Sequence, residues 1–178
     1  QTTGVSFWDS LHSTDSDANL TEYEFVEELG KGAFGTVHKA IDKNSGEVVA
    51  VKKVLKKDED SFQVAMIREA SLLNHLRHPN IVKMLQNPQF DKDGNLNLIF
   101  EFCDLDLNRF IKIKNDTIPV ELIQDLMRQL LSGLSYMHKE GVIHRDIKPA
   151  NIFLSKDKRA KEKKETYHLK IGDFGSAR

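Results

Sequence analysis

Gly30, Gly32 and Gly35 fall in the run Gly30-Lys31-Gly32-Ala33-Phe34-Gly35-Thr36-Val37, which fits the pattern G-x-G-x-x-G-x-V. Glycine lets a backbone approach phosphate oxygens closely and present its N–H groups with no Cβ in the way. The same three-glycine spacing occurs in dinucleotide-binding folds, but there the loop opens a helix. Here the flanks read differently. Tyr23–Gly30 has the texture of a strand and so does Thr36–Asp42. Lys43-Asn44-Ser45-Gly46 reads as a hairpin turn, and Glu47–Leu55, with Val48, Val49, Val51 and Val54, as a third strand. A glycine loop between two strands argues against the strand–loop–helix unit. Taken alone it is also compatible with a plain glycine-rich hairpin.

The rest of the chain alternates less. Ser61–Leu76 reads as a helix, with Val64, Ile67, Leu72, Leu73 and Leu76 mostly at three- and four-residue spacings, ended by His78-Pro79-Asn80. Ile81–Phe90 and Leu96–Phe102 read as strands joined at Asp91-Lys92-Asp93-Gly94. Leu107–Lys114 reads as a short helix. Pro119–Glu140 is the strongest helical signal: Pro119 near its start, Gly141 after its end, and one stripe of Leu122, Leu126, Leu130, Leu134 and Met137. Two short strands, Ile152–Leu154 and His168–Ile171, follow. The expected fold class is α/β (α+β). Residues 1–21, rich in Ser, Thr and Asp, read as a flexible lead-in, or as a docking segment through Val5, Phe7, Trp8 and Leu11.

Composition removes several functional classes. Lys and Arg number 26 against 27 Asp and Glu, a net charge of -1, which argues against a nucleic-acid binder driven by bulk charge. Cys103 is the only cysteine, so no internal disulfide forms within the sequence, and a reducing, intracellular compartment (cytoplasm or nucleus) is expected. No apolar run approaches the roughly 18 residues of a membrane span. The basic run Lys156–Lys164 reads as a solvated loop, with a nuclear-import signal as the alternative.

Three further motifs turn the glycine loop into a constellation. Val49-Ala50-Val51-Lys52 ends an apolar run on a lysine, whose ammonium needs an anion to stay charged in a cleft. Glu69, within Ile67-Arg68-Glu69, can supply it. His144-Arg145-Asp146-Ile147-Lys148-Pro149-Ala150-Asn151 follows the long helix, and Asp173-Phe174-Gly175 follows the last strand. In chemical terms Asp146 can accept a proton from an attacking hydroxyl, Lys148 can steady a transferring phosphoryl group, and Asn151 with Asp173 can hold magnesium. Any one triplet could arise by chance. Four motifs in this order, on these elements, are a far more specific signal.

Over Tyr23–Arg178 the sequence resembles the eukaryotic protein kinases, and Lys148 resembles their serine/threonine pattern. The resemblance implies a protein-kinase-like fold: a small ATP-binding lobe at 22–102 with a five-stranded antiparallel sheet and one helix, and a mainly helical large lobe beginning at 103–178. It implies ATP and Mg2+ as cofactors, bound between the lobes, and a protein hydroxyl as acceptor. Gly30, Gly32 and Gly35 would cover the phosphates. Val37, Ala50 and Phe153 would enclose adenine, the backbone of Glu101 and Cys103 would hold it behind Phe100, and Asp106 would meet the ribose.

Ala65–Leu73 is similar to the cyclin-binding helix of cyclin-dependent kinases, which implies a cyclin-type partner. Arg68, Arg145 and Arg178 match the three arginines that gather around a phosphothreonine in that group. Ala33 and Phe34 stand where cell-cycle members carry a phosphorylatable Thr and Tyr. Ser176 stands where Leu is more usual. Arg178 is five residues past Asp173, so the sequence reads as a partial domain, expected to be marginally stable and weakly active alone, with the Leu122–Leu134 stripe partly exposed. The competing reading is a non-catalytic ATP-binding or cyclin-binding module.

Overall fold

The computed structural model describes residues 22–32, 35–55, 61–115, 117–157 and 165–178, and within the first helix it leaves out the side chains of residues 61–65 and Arg68. The expectations for residues 1–21, for Ala33 and Phe34, and for most of the basic run lie outside the described residues. Two units emerge: one formed by the chain up to Ala70 together with Met84–Glu101, the other by Ser71–Lys83 with Phe102–Arg178.

The first unit is a five-stranded antiparallel sheet in the order β1-β2-β3-β5-β4, built from β1 (Tyr23–Gly32), β2 (Gly35–Asp42), β3 (Val48–Val54), β4 (Gln89–Phe90) and β5 (Leu96–Glu101). Helix α1 (Ser61–His75) follows β3. The sheet's two faces follow from the pleat. Tyr23, Ala40, Val49, Val51 and Ile99 form one buried cluster, to which Leu85 adds. Alternate β3 residues Ala50, Lys52 and Val54 occupy the opposite face, with Val37, Leu98 and Phe100 opposite them in register. The hairpin turn between β4 and β5 is closed by Asp91, whose Oδ1 accepts from the N–H groups of Asp93 and Asn95. Its Oδ2 lies 2.8 Å from Lys53 Nζ on β3. Burial pushes that carboxyl up, but hydrogen bonds from Lys53 and Asn95 outweigh it and bring it down to about 2.

The expected strand Ile81–Phe90 is mostly not one. Only Gln89–Phe90 pairs as a strand, and the remainder makes isolated bridges, Ile81 to Ile171 and Met84 to Phe100. Its apolar run has another cause. Ile81, Val82, Met84 and Pro88 are buried, and burial does not require a ladder.

In the second unit β6 (Leu105–Asp106), β7 (Ile152–Lys156) and β8 (Tyr167–Ile171) form a small antiparallel sheet, with α2 (Leu107–Lys114) and α3 (Val120–Lys139) lying between β6 and β7 in the chain. Helix α3 begins after Pro119 and ends before Gly141, whose φ of 75° is the left-handed conformation that glycine adopts at helix ends. It lies on β8 so closely that a Cβ on Gly133 would meet Cδ1 of Ile171 at 2.9 Å and the carbonyl of Asn80 at 3.0 Å. Leu122, Leu126 and Met137 are buried, while Leu130 and Leu134 are half-buried. The exposed residues are a second stripe: Val120, Ile123, Met127 and Leu131. The expected exposure of the first stripe is therefore corrected at Leu122 and Leu126. Among the described residues no helix is long and apolar enough to cross a membrane.

The free edge of β8 is closed by the side chains of Gln129 and Asn80 and by the backbone of Asn80 and Val82. Gln129 Nε2 donates to the Tyr167 carbonyl at 2.9 Å, and its Oε1 accepts from Leu169 N–H at 2.8 Å. Asn80 Nδ2 donates to the Leu169 carbonyl at 2.9 Å, and the Asn80 carbonyl accepts from Ile171 N–H at 2.9 Å. Val82 N–H completes the row on the Ile171 carbonyl. Replacing Gln129 by Leu keeps the bulk but strips two backbone groups of their partners. Each such group, where shielded from water, costs about 1–3 kcal/mol. Urea unfolding of Gln129→Leu should show a clear loss of stability; an unchanged midpoint would contradict the edge-closing role.

Candidate functional site

Each unit carries its own share of the expected residues. In the first, Gly30 pairs with Val37 and Gly32 with Gly35, so the glycine run is the end of the β1–β2 hairpin. A Cβ on Gly35 would lie 1.9 Å from the Lys53 carbonyl, which explains the glycine at that place. Lys52 Nζ lies 2.9 Å from Glu69 Oε2, and the Glu69 side chain is only 2% exposed. A carboxylate buried this far needs a charged partner. Val37 and Ala50, on the same sheet face as Lys52, stay half-buried.

The second unit holds the densest arrangement. Asp146 Oδ2 accepts from Lys148 Nζ at 2.9 Å and from Asn151 Nδ2 at 3.0 Å. The same Nδ2 also donates to the Asp146 carbonyl at 2.9 Å. Asn151 sits in a 3-10 turn, Pro149–Asn151, 5% exposed, with its N–H bonded to the Lys148 carbonyl. The Asn151 carbonyl accepts from Gly172 N–H at 3.0 Å, which ties the loop to the residue before Asp173.

His144 supplies the second tie. It is 1% exposed, and its Nε2 lies 2.8 Å from the Gly172 carbonyl, while Asp146 N–H reaches its Nδ1 at 3.2 Å. A carbonyl only accepts and an N–H only donates, so the partners require the hydrogen on Nε2. The ring also meets buried Phe174 edge-on, centroids 4.9 Å apart. Arg145 and Asp173 both adopt the left-handed backbone, with φ of 66° and 59°. Such conformations cost roughly 1–3 kcal/mol and persist where surrounding contacts over-determine them. Here those contacts are the His144, Asn151 and Gly172 bonds.

The donor set fits magnesium. The Asn151 amide nitrogen is committed to Asp146, which turns its carbonyl oxygen, a hard donor, away from that residue. Asp173 adds a carboxylate close in sequence to Gly172. Magnesium takes one or two protein oxygens and completes its shell with phosphates and water. Among the described residues no group of three or more His, Cys, Asp and Glu is placed to hold an ion.

A family model described as the protein kinase domain matches residues 23–178. The chain belongs to the protein kinase family. It is similar to cyclin-dependent kinase 4 of Xenopus laevis, 39% identical over 165 residues, which cover 88% of this chain and 49% of that protein. It is similar to cell division control protein 2 homolog 1 of Trypanosoma brucei brucei, 37% identical over 159 residues, covering 89% and 49%. A probable serine/threonine-protein kinase of Dictyostelium discoideum is 38% identical over 159 residues, covering 89% of this chain and 29% of its own. The chain thus spans about half or less of the length of these curated relatives. The resemblance to cyclin-dependent serine/threonine kinases holds, and so does the α+β kinase fold.

Other expected positions of this kinase domain are placed less completely. Glu101 ends β5 beside Val49, and Cys103 is half-buried in the following segment. Asp106 already serves the fold, because its Oδ1 accepts from Arg109 N–H at 2.8 Å and caps α2. Phe153 lies half-buried on β7, paired with Asp106 and Lys170. Arg145 and Arg178 share one backbone-paired stretch. Ile143 and Arg178 exchange both backbone bonds, at 2.7 and 3.0 Å, and Arg145 Nε donates to the Ser176 carbonyl at 2.6 Å. The side chain of Arg68 lies outside the described residues, and the bonds of Arg145 and Arg178 bring their chain segments together without placing the two guanidinium groups side by side.

The reading from sequence gave no role to His144, Gly172 or Gln129, and gave Asn80 only a part in ending the helix. His144 and Gly172 stand within or beside recognised motifs; Asn80 and Gln129 carry no local signal.

The Lys148 ammonium beside Asp146 holds that carboxyl below its ordinary value of 3.8, with Asn151 adding to the effect, and Asp146 in turn raises Lys148. The pair is therefore intact above 3.8 and is lost as pH falls through the lowered value. In Lys148→Met the Asp146 titration, followed by carboxyl carbon NMR, should move up toward 3.8. An unmoved midpoint would show that Lys148 does not set it.

Proposed function

We propose that this kinase domain transfers the γ-phosphoryl group of ATP, with Mg2+, to a serine or threonine hydroxyl of a protein substrate. The observation that carries the reading is Asp146, held by Lys148 and Asn151 on a loop bonded to Gly172, next to Asp173. Asp146 orients the attacking hydroxyl and takes its proton. The lowered carboxyl is ionised at neutral pH and so is free to accept that proton. Lys148 reaches the transferring phosphoryl oxygens from beside the base. Asn151 and Asp173 hold magnesium, which neutralises phosphate charge when bound.

The first unit contributes phosphate and base contacts. Lys52, fixed by Glu69, pairs with the α- and β-phosphates, and the backbone of Gly30, Gly32 and Gly35 covers them. On this unit Val37 and Ala50 contact the base and the backbone of Glu101 hydrogen-bonds it; for the second unit, taken by itself, Phe153 and the backbone of Cys103 are assigned to the base, and Asp106 keeps one carboxylate oxygen beyond its capping bond for the ribose. Arg68, Arg145 and Arg178 receive a phosphothreonine. A cyclin-type regulatory subunit docks on the helix through Ala65–Leu73, a reading supported by kinship with cyclin-dependent kinase 4. The compartment is intracellular, in cytoplasm or nucleus.

Transfer of labelled γ-phosphate to a serine/threonine peptide library tests the reading. Asp146→Asn should lower transfer about 100-fold or more while ATP affinity changes little. Asp173→Ala should instead weaken ATP binding in a magnesium-dependent way. Undiminished transfer by Asp146→Asn would refute the assignment of the base, and unchanged magnesium-dependent affinity in Asp173→Ala that of the metal ligand.

A further inference from the structure

The residue before Asp173 has no side chain, and its surroundings leave room for none. A Cβ on Gly172 would lie 2.5 Å from Cε2 and 2.8 Å from Cδ2 of Phe153, and 3.4 Å from Cγ1 of Val82. Real Cβ contacts essentially never fall under 3.0 Å. The backbone is not the reason for the glycine. Gly172 is not among the glycines with positive φ, which are Gly35, Gly46, Gly94 and Gly141. Its φ lies outside the left-handed region that favours glycine, and what meets an added Cβ at under 3.0 Å is the Phe153 ring.

Neither backbone can easily retreat. Gly172 is held on both sides, its N–H by the Asn151 carbonyl at 3.0 Å and its carbonyl by His144 Nε2 at 2.8 Å. Phe153 is held at its backbone by the ladder to β6 and β8. The soft coordinate is the ring itself, through its side-chain torsions. We propose that Gly172 is a positioning residue: by lacking a Cβ it lets the Phe153 ring rest against the chain that leads into Asp173, and so sets an aromatic platform for a purine base. The inference rests on the nucleotide reading above. It adds that Phe153 and Gly172 work as a size-matched pair. A larger residue at one position demands a smaller one at the other, because the space beside Gly172 is already filled by the ring.

A double-mutant cycle on the full chain tests this, with Mg·ATP affinity and thermal midpoint read in parallel. Gly172→Ala should weaken ATP binding roughly tenfold, because the displaced ring both loses its stacking position and intrudes on the space the base would take, whereas leucine at 153 loses the stacking alone. Phe153→Leu alone should cost less, and the double variant Gly172→Ala/Phe153→Leu should return to the affinity of Phe153→Leu. ATP binding by Gly172→Ala equal to wild type would overturn the proposal. So would a double variant as weak as Gly172→Ala, since the glycine would then serve the backbone and not the ring. If Gly172→Ala alone does not fold, the double variant must fold and bind like Phe153→Leu, and its failure counts equally against the pairing. A wild-type chain that binds no ATP would instead strike the nucleotide reading itself.

Discussion

The second unit depends on two hydrogen bonds at one residue. Gly172 gives its N–H to the Asn151 carbonyl and its carbonyl to His144 Nε2. Through them the loop that carries Asp146 and the segment that carries Asp173 become one piece. Both bonds are largely shielded, with His144 1% and Asn151 5% exposed, so water competes poorly for them. Asp173 and Arg145 hold left-handed backbones on either side of this junction. Free loops would relax from such conformations, whereas a loop bonded at several points does not. A loop assembled this way has Asp146, Asn151 and the backbone leading into Asp173 fixed before any ligand arrives, and preorganisation of that kind is where electrostatic catalysis gains most.

The same logic recurs away from the chemistry. Polar side chains also satisfy backbone groups at the edge of β8 and in the β4–β5 turn. Gln129 and Asn80 close the edge of β8, and Asp91 closes the β4–β5 turn while reaching Lys53 on β3. In each case a buried or half-buried amide or carboxylate satisfies backbone groups that would otherwise be stranded. Helix α3 can lie tightly on β8 because Gly133 removes the one Cβ that would collide with Ile171 and Asn80. The carbonyl that Gly133 spares belongs to Asn80, which also accepts from Ile171 N–H.

Much of the fold was legible because it rests on local patterns. The glycine run between strands, the β-branched third strand, the Pro119-to-Gly141 helix and the four motifs all have short-range causes, and each falls on the expected element. Ile81–Phe90 misled because apolar density signals burial and does not say whether burial comes from a ladder; here it comes from isolated bridges. On α3 the Leu122 stripe stood out and the Val120, Ile123, Met127, Leu131 stripe did not, although both repeat at helical spacing. Which of two apolar faces meets β8 is a tertiary question. Asp106 shows a third limit: the capping of α2 is readable from Asp followed by a helix, but the resemblance drew attention to a ligand contact instead. Gln129 lies 38 residues from the carbonyl it satisfies, and no window along the chain shows that pairing.

The proposed function makes Asn151 and Asp173, joined through Gly172, the magnesium site for ATP. Manganese in place of magnesium gives the most direct test. With ATP present, paramagnetic broadening in NMR spectra of the full chain should be strongest at Asn151, Gly172 and Asp173. Broadening centred on another set of residues, or none that depends on ATP, would contradict the claim.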